Sequence, residues 1–118
     1  MVTIEDVRSI ALSLPRSYEA VVRDRVKFRV GRIVYLALSR DETILGFGFP
    51  REAREAMVAA EPELFLMPGQ SELRYNWLHV RMAPLDSSHL EELVIDAWLM
   101  VVPRRVAEAY LTSSDQRA

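Results

Sequence analysis

Arg23, Arg25, Lys27 and Arg29 stand at alternate positions of one short stretch, with Asp24, Val26, Phe28 and Val30 between and after them. Side chains of an extended strand point to opposite faces in turn, so this spacing predicts four cations on one face backed by a mostly apolar one. Arg32 follows across Gly31, a residue suited to a tight reversal, and Arg81 belongs to a later predicted strand. The chemistry of such a row is electrostatic: it can track the oxygens of a phosphate backbone. Its ordinary alternative is a solvated face, or one paired with Glu and Asp of the same molecule.

Catalytic and metal chemistry have fewer residues to draw on. His79 and His89 are the only histidines, cysteine is absent, and no serine stands in a nucleophile elbow. His79, between Trp77 and Arg81 on one strand face, reads as a partly exposed structural residue, and His89 in the first turn of a helix as a solvated one. Two distant histidines and scattered carboxylates have no recognisable ligand spacing. The expectation is a protein that is not an enzyme and has no cofactor and no metal. Gly46 and Gly48 lack the third glycine and the βαβ setting of a dinucleotide fingerprint. They share a strand face open to close approach, and a packed helix is a more ordinary occupant than a ligand. Arg51 and Arg54 open a predicted helix over about 51–60, where an anion site competes with a solvated face pairing Arg51 with Glu55.

The elements that must position these residues follow from periodicity. Thr3 reads as the N-cap of a helix carrying Ile4, Val7, Ile10, Ala11 and Leu14 on one stripe and ending at Pro15. Extended segments over 18–23 and 25–30 follow, with Arg23-Asp24-Arg25 either a turn or a bulge. Arg32 to Leu38 is a strand apolar on both faces, Ser39 to Glu42 a polar hairpin turn, and Thr43 to Phe49 the next strand. Leu64 to Gly69 reads as a loop, and Trp77 to Met82 as a strand with Leu78, Val80 and Met82 on its core face. Ser88 and Glu91 fit a capping box for a long helix broken at Pro103, with a short helix from Arg104 to Leu111 beyond it. The fold class is therefore α+β, an antiparallel β-sheet packed by helices. One domain over 1–111 is expected, with a polar tail over 112–118 that frays.

Composition narrows the partners. The net charge is −2, but residues 16–54 hold nine basic and five acidic side chains whereas residues 55–103 hold two and eight, so the fold should have a basic part and an acidic part. No apolar run approaches the ~20 residues that span a bilayer. Acidic Glu5 and Asp6 stand where a signal peptide would carry positive charge, so no membrane partner and a cytoplasmic location are expected.

Leu14-Pro15, the run from Phe28 to Tyr35, Pro50-Arg51-Glu52-Ala53, Trp77 to Arg81, and Ala97-Trp98 with Pro103-Arg104-Arg105 occur in an order and spacing that resembles the MmcQ/YjbR-like family of small bacterial proteins. The resemblance implies an α+β domain related to the secretion-chaperone-like and CyaY-like folds, and DNA binding as the activity associated with the family name. The chain departs from that pattern where Arg23-Asp24-Arg25 replaces a Trp-Gly-His-like run, and where Gly48-Phe49 replaces a lysine. The expected function is weak, non-specific binding of DNA or RNA through Arg23, Arg25, Lys27 and Arg29, with Arg32 and Arg81 nearby. The alternative is a protein-interaction or chaperone-like module, binding a protein partner or self-associating. Salt separates the two, since phosphate contacts weaken steeply with ionic strength and an apolar interface does not.

Overall fold

A computed structural model describes the backbone of residues 1–117 and the side chains of residues 1–113. Helix α1 (Ile4–Ala11) begins at Thr3, whose backbone N–H donates to Asp6 Oδ2 at 2.8 Å, and it buries Val7 and Ala11. Strands β1 (Ser17–Val22), β2 (Arg25–Val30), β3 (Ile33–Leu38) and β4 (Ile44–Gly48) then run as an antiparallel meander. Val22 pairs directly with Arg25, so Arg23-Asp24 is a two-residue turn, with φ of 53° and 66°. Positive φ at both central residues gives a turn that matches the right-handed twist of its strands, and that takes Arg23 out of the strand. Gly31-Arg32 closes the next hairpin, also in two residues, with positive φ at Gly31 alone, 60°.

Helix α2 (Arg54–Ala60) starts three residues later than its periodicity suggests, because residues 51–53 form a turn in which the Ala53 N–H donates to the Pro50 carbonyl at 3.1 Å. The predicted loop after it contains a short strand, β5 (Phe65–Leu66), that pairs with β6 (Trp77–Arg81). Between them lies a 3₁₀ turn, Gln70–Glu72. Helix α3 (Ser87–Leu99) is capped not by Ser88 but by Asp86, whose carboxylate accepts from the His89 N–H at 2.8 Å. Past the break at Pro103, α4 (Arg104–Arg117) continues through residues 112–117, the stretch read as a tail; Ala118 lies outside the described residues.

The six strands form one antiparallel sheet in the order β1-β2-β3-β4-β6-β5. Helices α1 and α3 pack on one of its faces, and α3 also packs on α1. Phe28, Leu36, Phe47, Leu78 and Val80 belong to the core under them and are at most 1% exposed, with Val30, Leu93 and Ala97 buried beside them. A register shift between Phe28 and Arg29 makes one irregularity in this alternation: Phe28 pairs with Leu36 but Arg29 with Val34, leaving Tyr35 as the extra residue of a bulge. Tyr35 is buried with its hydroxyl hydrogen-bonded to Ser17 Oγ, and burial pushes its pKa up to about 12.

Trp98 is fully buried, stacks edge-on against Tyr110 at 5.0 Å, and donates from Nε1 to the Pro15 carbonyl at 2.9 Å. It thereby ties α3 to the chain leaving α1. Trp98→Ala is expected to cost about 3–5 kcal/mol, read as a fall in the urea midpoint. An unchanged midpoint would show that the ring contributes nothing to the core.

Candidate nucleic-acid interface

Arg25, Lys27 and Arg29 project from β2 on the face opposite α1 and α3. Their cross-strand partners in β1 are Val22, Ala20 and Tyr18, and Lys27 and Arg29 face Ala37 and Val34 in β3. None of these neighbours is acidic. Among the described residues, no carboxylate lies within 4.0 Å of Arg25, Lys27, Arg29 or Arg81. Arg25 donates from Nε to the Leu38 carbonyl at 3.1 Å, which steadies its stem. Arg29 Nε is buried with no hydrogen-bond partner among the described residues.

Of the six cations singled out in the sequence, β2 thus holds three in a row. Arg23 and Arg32 sit in the turns at its two ends, exposed and outside the alternation. Arg81 shares the open face but lies two strands beyond β3, in β6, and its Nη1 donates to the Pro62 carbonyl at 3.1 Å. The pair at the start of the second helix plays another part. Arg51 donates to the Arg74 carbonyl at 2.7 Å, and Arg54 is buried and bonded to carbonyls, so neither the anion site nor the pairing of Arg51 with Glu55 is formed.

The aromatic residues of this face come from elsewhere in the chain. Gly46 pairs with both Ala37 and His79, which places it in the middle of the open face. The Trp77 indole lies over it: a Cβ built on Gly46 would come 2.7 Å from Trp77 Nε1. At Gly48, at the end of β4, the neighbour is Ala97 of α3, at 3.6 Å from such a Cβ, and Met100 and Val101 just past that helix line the same side; the two glycines, expected to share one occupant, thus have two, the end of α3 and a tryptophan. Residues 67–76 fold back over the same side, putting Glu72 4.0 Å from His79 Nε2 and Tyr75 at the rim, 53% exposed. The Arg74 guanidinium stacks on the Tyr75 ring at 4.8 Å. Between the β2 cations and these aromatics is a cavity of about 460 Å³, whose lining includes Arg25, Lys27, Val34, Ala37, Tyr75 and Trp77. A second concavity adjoins it through Arg25 and Glu72 and extends to Arg40 and His79.

Acidic groups gather on the helical side instead. Glu91, Glu92 and Asp96 line one surface of α3, and Asp96 is held above the usual carboxylate range by partial burial and by Glu92. Among the described residues, no three His, Asp or Glu side chains are placed to hold a metal ion, and no helix is long and apolar enough to cross a membrane.

The YjbR family model matches residues 12–100. The chain belongs to the YjbR family. Relatives of this YjbR chain include an uncharacterised protein of Mycobacterium bovis and two of Mycobacterium tuberculosis strains. Each is 30% identical over 132 residues, covering 97% of this chain and 99% of the relative. A crystal structure of a Deinococcus radiodurans protein with a DUF419 domain superposes with a TM-score of 0.75 at 23% identity, over 88% of this chain and 81% of that one. The likeness in structure supports the α+β YjbR fold.

Two measurements check the geometry of this YjbR face. Gly46→Ala should displace the indole, moving the Trp77 indole N–H crosspeak in a ¹H–¹⁵N spectrum while that of Trp98, bonded to Pro15, stays in place. An unmoved Trp77 signal would contradict the stacking on Gly46. His79 is held below the ordinary imidazole value of 6.5 by burial, against the pull of Glu72 and with the push of Arg25. Its titration midpoint is expected below 6.5, lower still in Glu72→Gln and higher in Arg25→Ser. Because the folded value lies under the unfolded one, the neutral ring contributes stability above about pH 6.5 that is lost as pH falls through the folded value. A midpoint above 6.5 would reverse this account.

Proposed function

We propose that the open face of the sheet binds single-stranded nucleic acid, weakly and without sequence preference, through phosphate contacts to Arg25, Lys27 and Arg29. The observation that carries the reading is that these three cations stand in one row with no carboxylate partner among the described residues. Cations without carboxylate partners add little to the stability of a fold, and their alternate spacing of ~6.8 Å suits the phosphates of an extended strand. Trp77 and Tyr75 beside the row add stacking surface, the usual companion of a cationic groove in single-strand binding. The acidic outer surface of α3 would repel the same ligand and so orient it. A duplex is disfavoured because α3, the longest helix whose side chains are described throughout, has no Lys or Arg. A cytoplasmic setting would suit such a ligand.

Docking of a protein partner or a second copy is the second reading, favoured by Ile33, Met100 and Val21, which are 53%, 43% and 67% exposed. Fluorescence anisotropy with a labelled single strand over a range of salt distinguishes them. Three phosphate contacts give a slope of log affinity against log salt of about −2, and Arg25→Ser with Lys27→Ser lowers its magnitude by about 1.4. Binding by the double variant equal to that of the parent would remove the row from consideration. No binding by the parent at low salt would leave the protein-docking reading in front.

A further inference from the structure

The cavity beside Trp77 has a chemistry more particular than a phosphate-tracking face requires. Its floor is apolar, made by Val34 and Ala37 of β3, and its wall is the indole of Trp77. Lys27 and Arg25 stand on one side of it. Asn76 and Glu72 stand on the other, from the segment that folds over the sheet. The Asn76 side-chain oxygen Oδ1 accepts from the Arg51 N–H at 3.1 Å, so the amide offers its NH₂ as a donor, while the Glu72 carboxylate offers acceptors. At about 460 Å³ the cavity falls within the size range of small-ligand sites.

The three features constrain the occupant together. A flat indole wall over an apolar floor favours a planar ring, the donor and acceptor opposite favour a ring with polar edges, and the two cations favour an anion attached to it. A sugar phosphate would leave the indole and floor without a planar partner, and a fatty acid would leave Asn76 and Glu72 unpaired. A nucleotide carries all three features in one covalent unit.

We infer that this cavity receives the base of a single unpaired nucleotide, stacked on Trp77, with its phosphate on Lys27 and Arg25. The inference rests on the single-strand reading above and deepens it: phosphates anchor the strand, and the cavity takes one base from it. A base held in a duplex cannot enter, so the site discriminates unpaired from paired nucleotides without reading sequence. A free nucleoside monophosphate presents the same chemistry.

The test compares a thymidylate strand with an abasic strand of the same length and phosphate number, and adds thymidine monophosphate as a separate arm. The abasic strand is expected to bind roughly 5- to 150-fold more weakly, the range for loss of one stacked base. Trp77→Leu should reduce the thymidylate strand to the level of the abasic one and leave the abasic strand's own affinity unchanged. Ala37→Leu, which fills the floor from the open face and leaves Trp77 and the cations in the sequence, should do the same and guards against a tryptophan variant that fails to fold. Equal affinity of the parent for the two strands overturns the base site while leaving the phosphate reading standing. If neither strand binds, the phosphate reading fails, and the nucleotide arm decides the cavity: movement of the Trp77 indole crosspeak with thymidine monophosphate assigns it to free nucleotides, and no movement overturns the inference.

Discussion

Arg54 is 7% exposed and donates from Nη1 to the carbonyls of Tyr75 and Trp77, at 3.0 and 3.2 Å, and from Nη2 to that of Leu73. A buried guanidinium without a carboxylate has to be solvated by dipoles, and the three carbonyls supply them. The converse matters as much, because those carbonyls belong to the segment that enters β6 and would otherwise be free to turn outward. Arg51 reinforces the clamp, its backbone N–H donating to Asn76 Oδ1 and its guanidinium to the Arg74 carbonyl. Held at Leu73, Tyr75 and Trp77, the chain enters β6 in the register that pairs Gly48 with Trp77 and sets the indole on Gly46. The cavity, its aromatic wall and the position of Glu72 near His79 all depend on that clamp, although Arg54 itself does not line the cavity.

The bulge in β3 plays a comparable part on the other side of the cavity. Strict alternation cannot place both Val34 and Ala37 on the open face, since they are three residues apart. The extra residue, Tyr35, resolves this by turning its ring into the buried layer and bonding to Ser17. Arg29 and Lys27 therefore keep apolar, uncharged neighbours across the strand, and the floor of the cavity stays smooth. With the β2 cations on one side of the sheet and Glu91, Glu92 and Asp96 on the outer surface of α3, the molecule is electrostatically two-sided despite a net charge of only −2. Long-range attraction of an anion to one face survives such a balance, because the field near a surface is set by the charges closest to it.

What the sequence determined by itself was whatever depends on neighbours along the chain. Side-chain alternation put Arg25, Lys27 and Arg29 opposite Phe28 and Val30, and Leu78 and Val80 opposite Trp77 and His79. Helical spacing placed Val7, Leu93, Ala97 and Trp98 inward, and Thr3 marked a helix start. These are consequences of backbone geometry, with periods of 2 and 3.6 residues, and hold wherever the segment packs. Only the tertiary structure decided that Arg23 leaves the row, because a two-residue turn of Arg and Asp carries no glycine to announce its positive φ. Phe65-Leu66 is too short to show a period, and becomes a strand only because β6 offers it a ladder. Arg54 was one basic residue among several at a helix start until the carbonyls of a segment some twenty positions away closed around it. Trp77 and Gly46 were each legible as members of a strand face, but their contact exists only because β6 inserts beside β4. Pairing between distant segments is set by the competition of the whole chain for burial and hydrogen bonds, and no local pattern records its outcome.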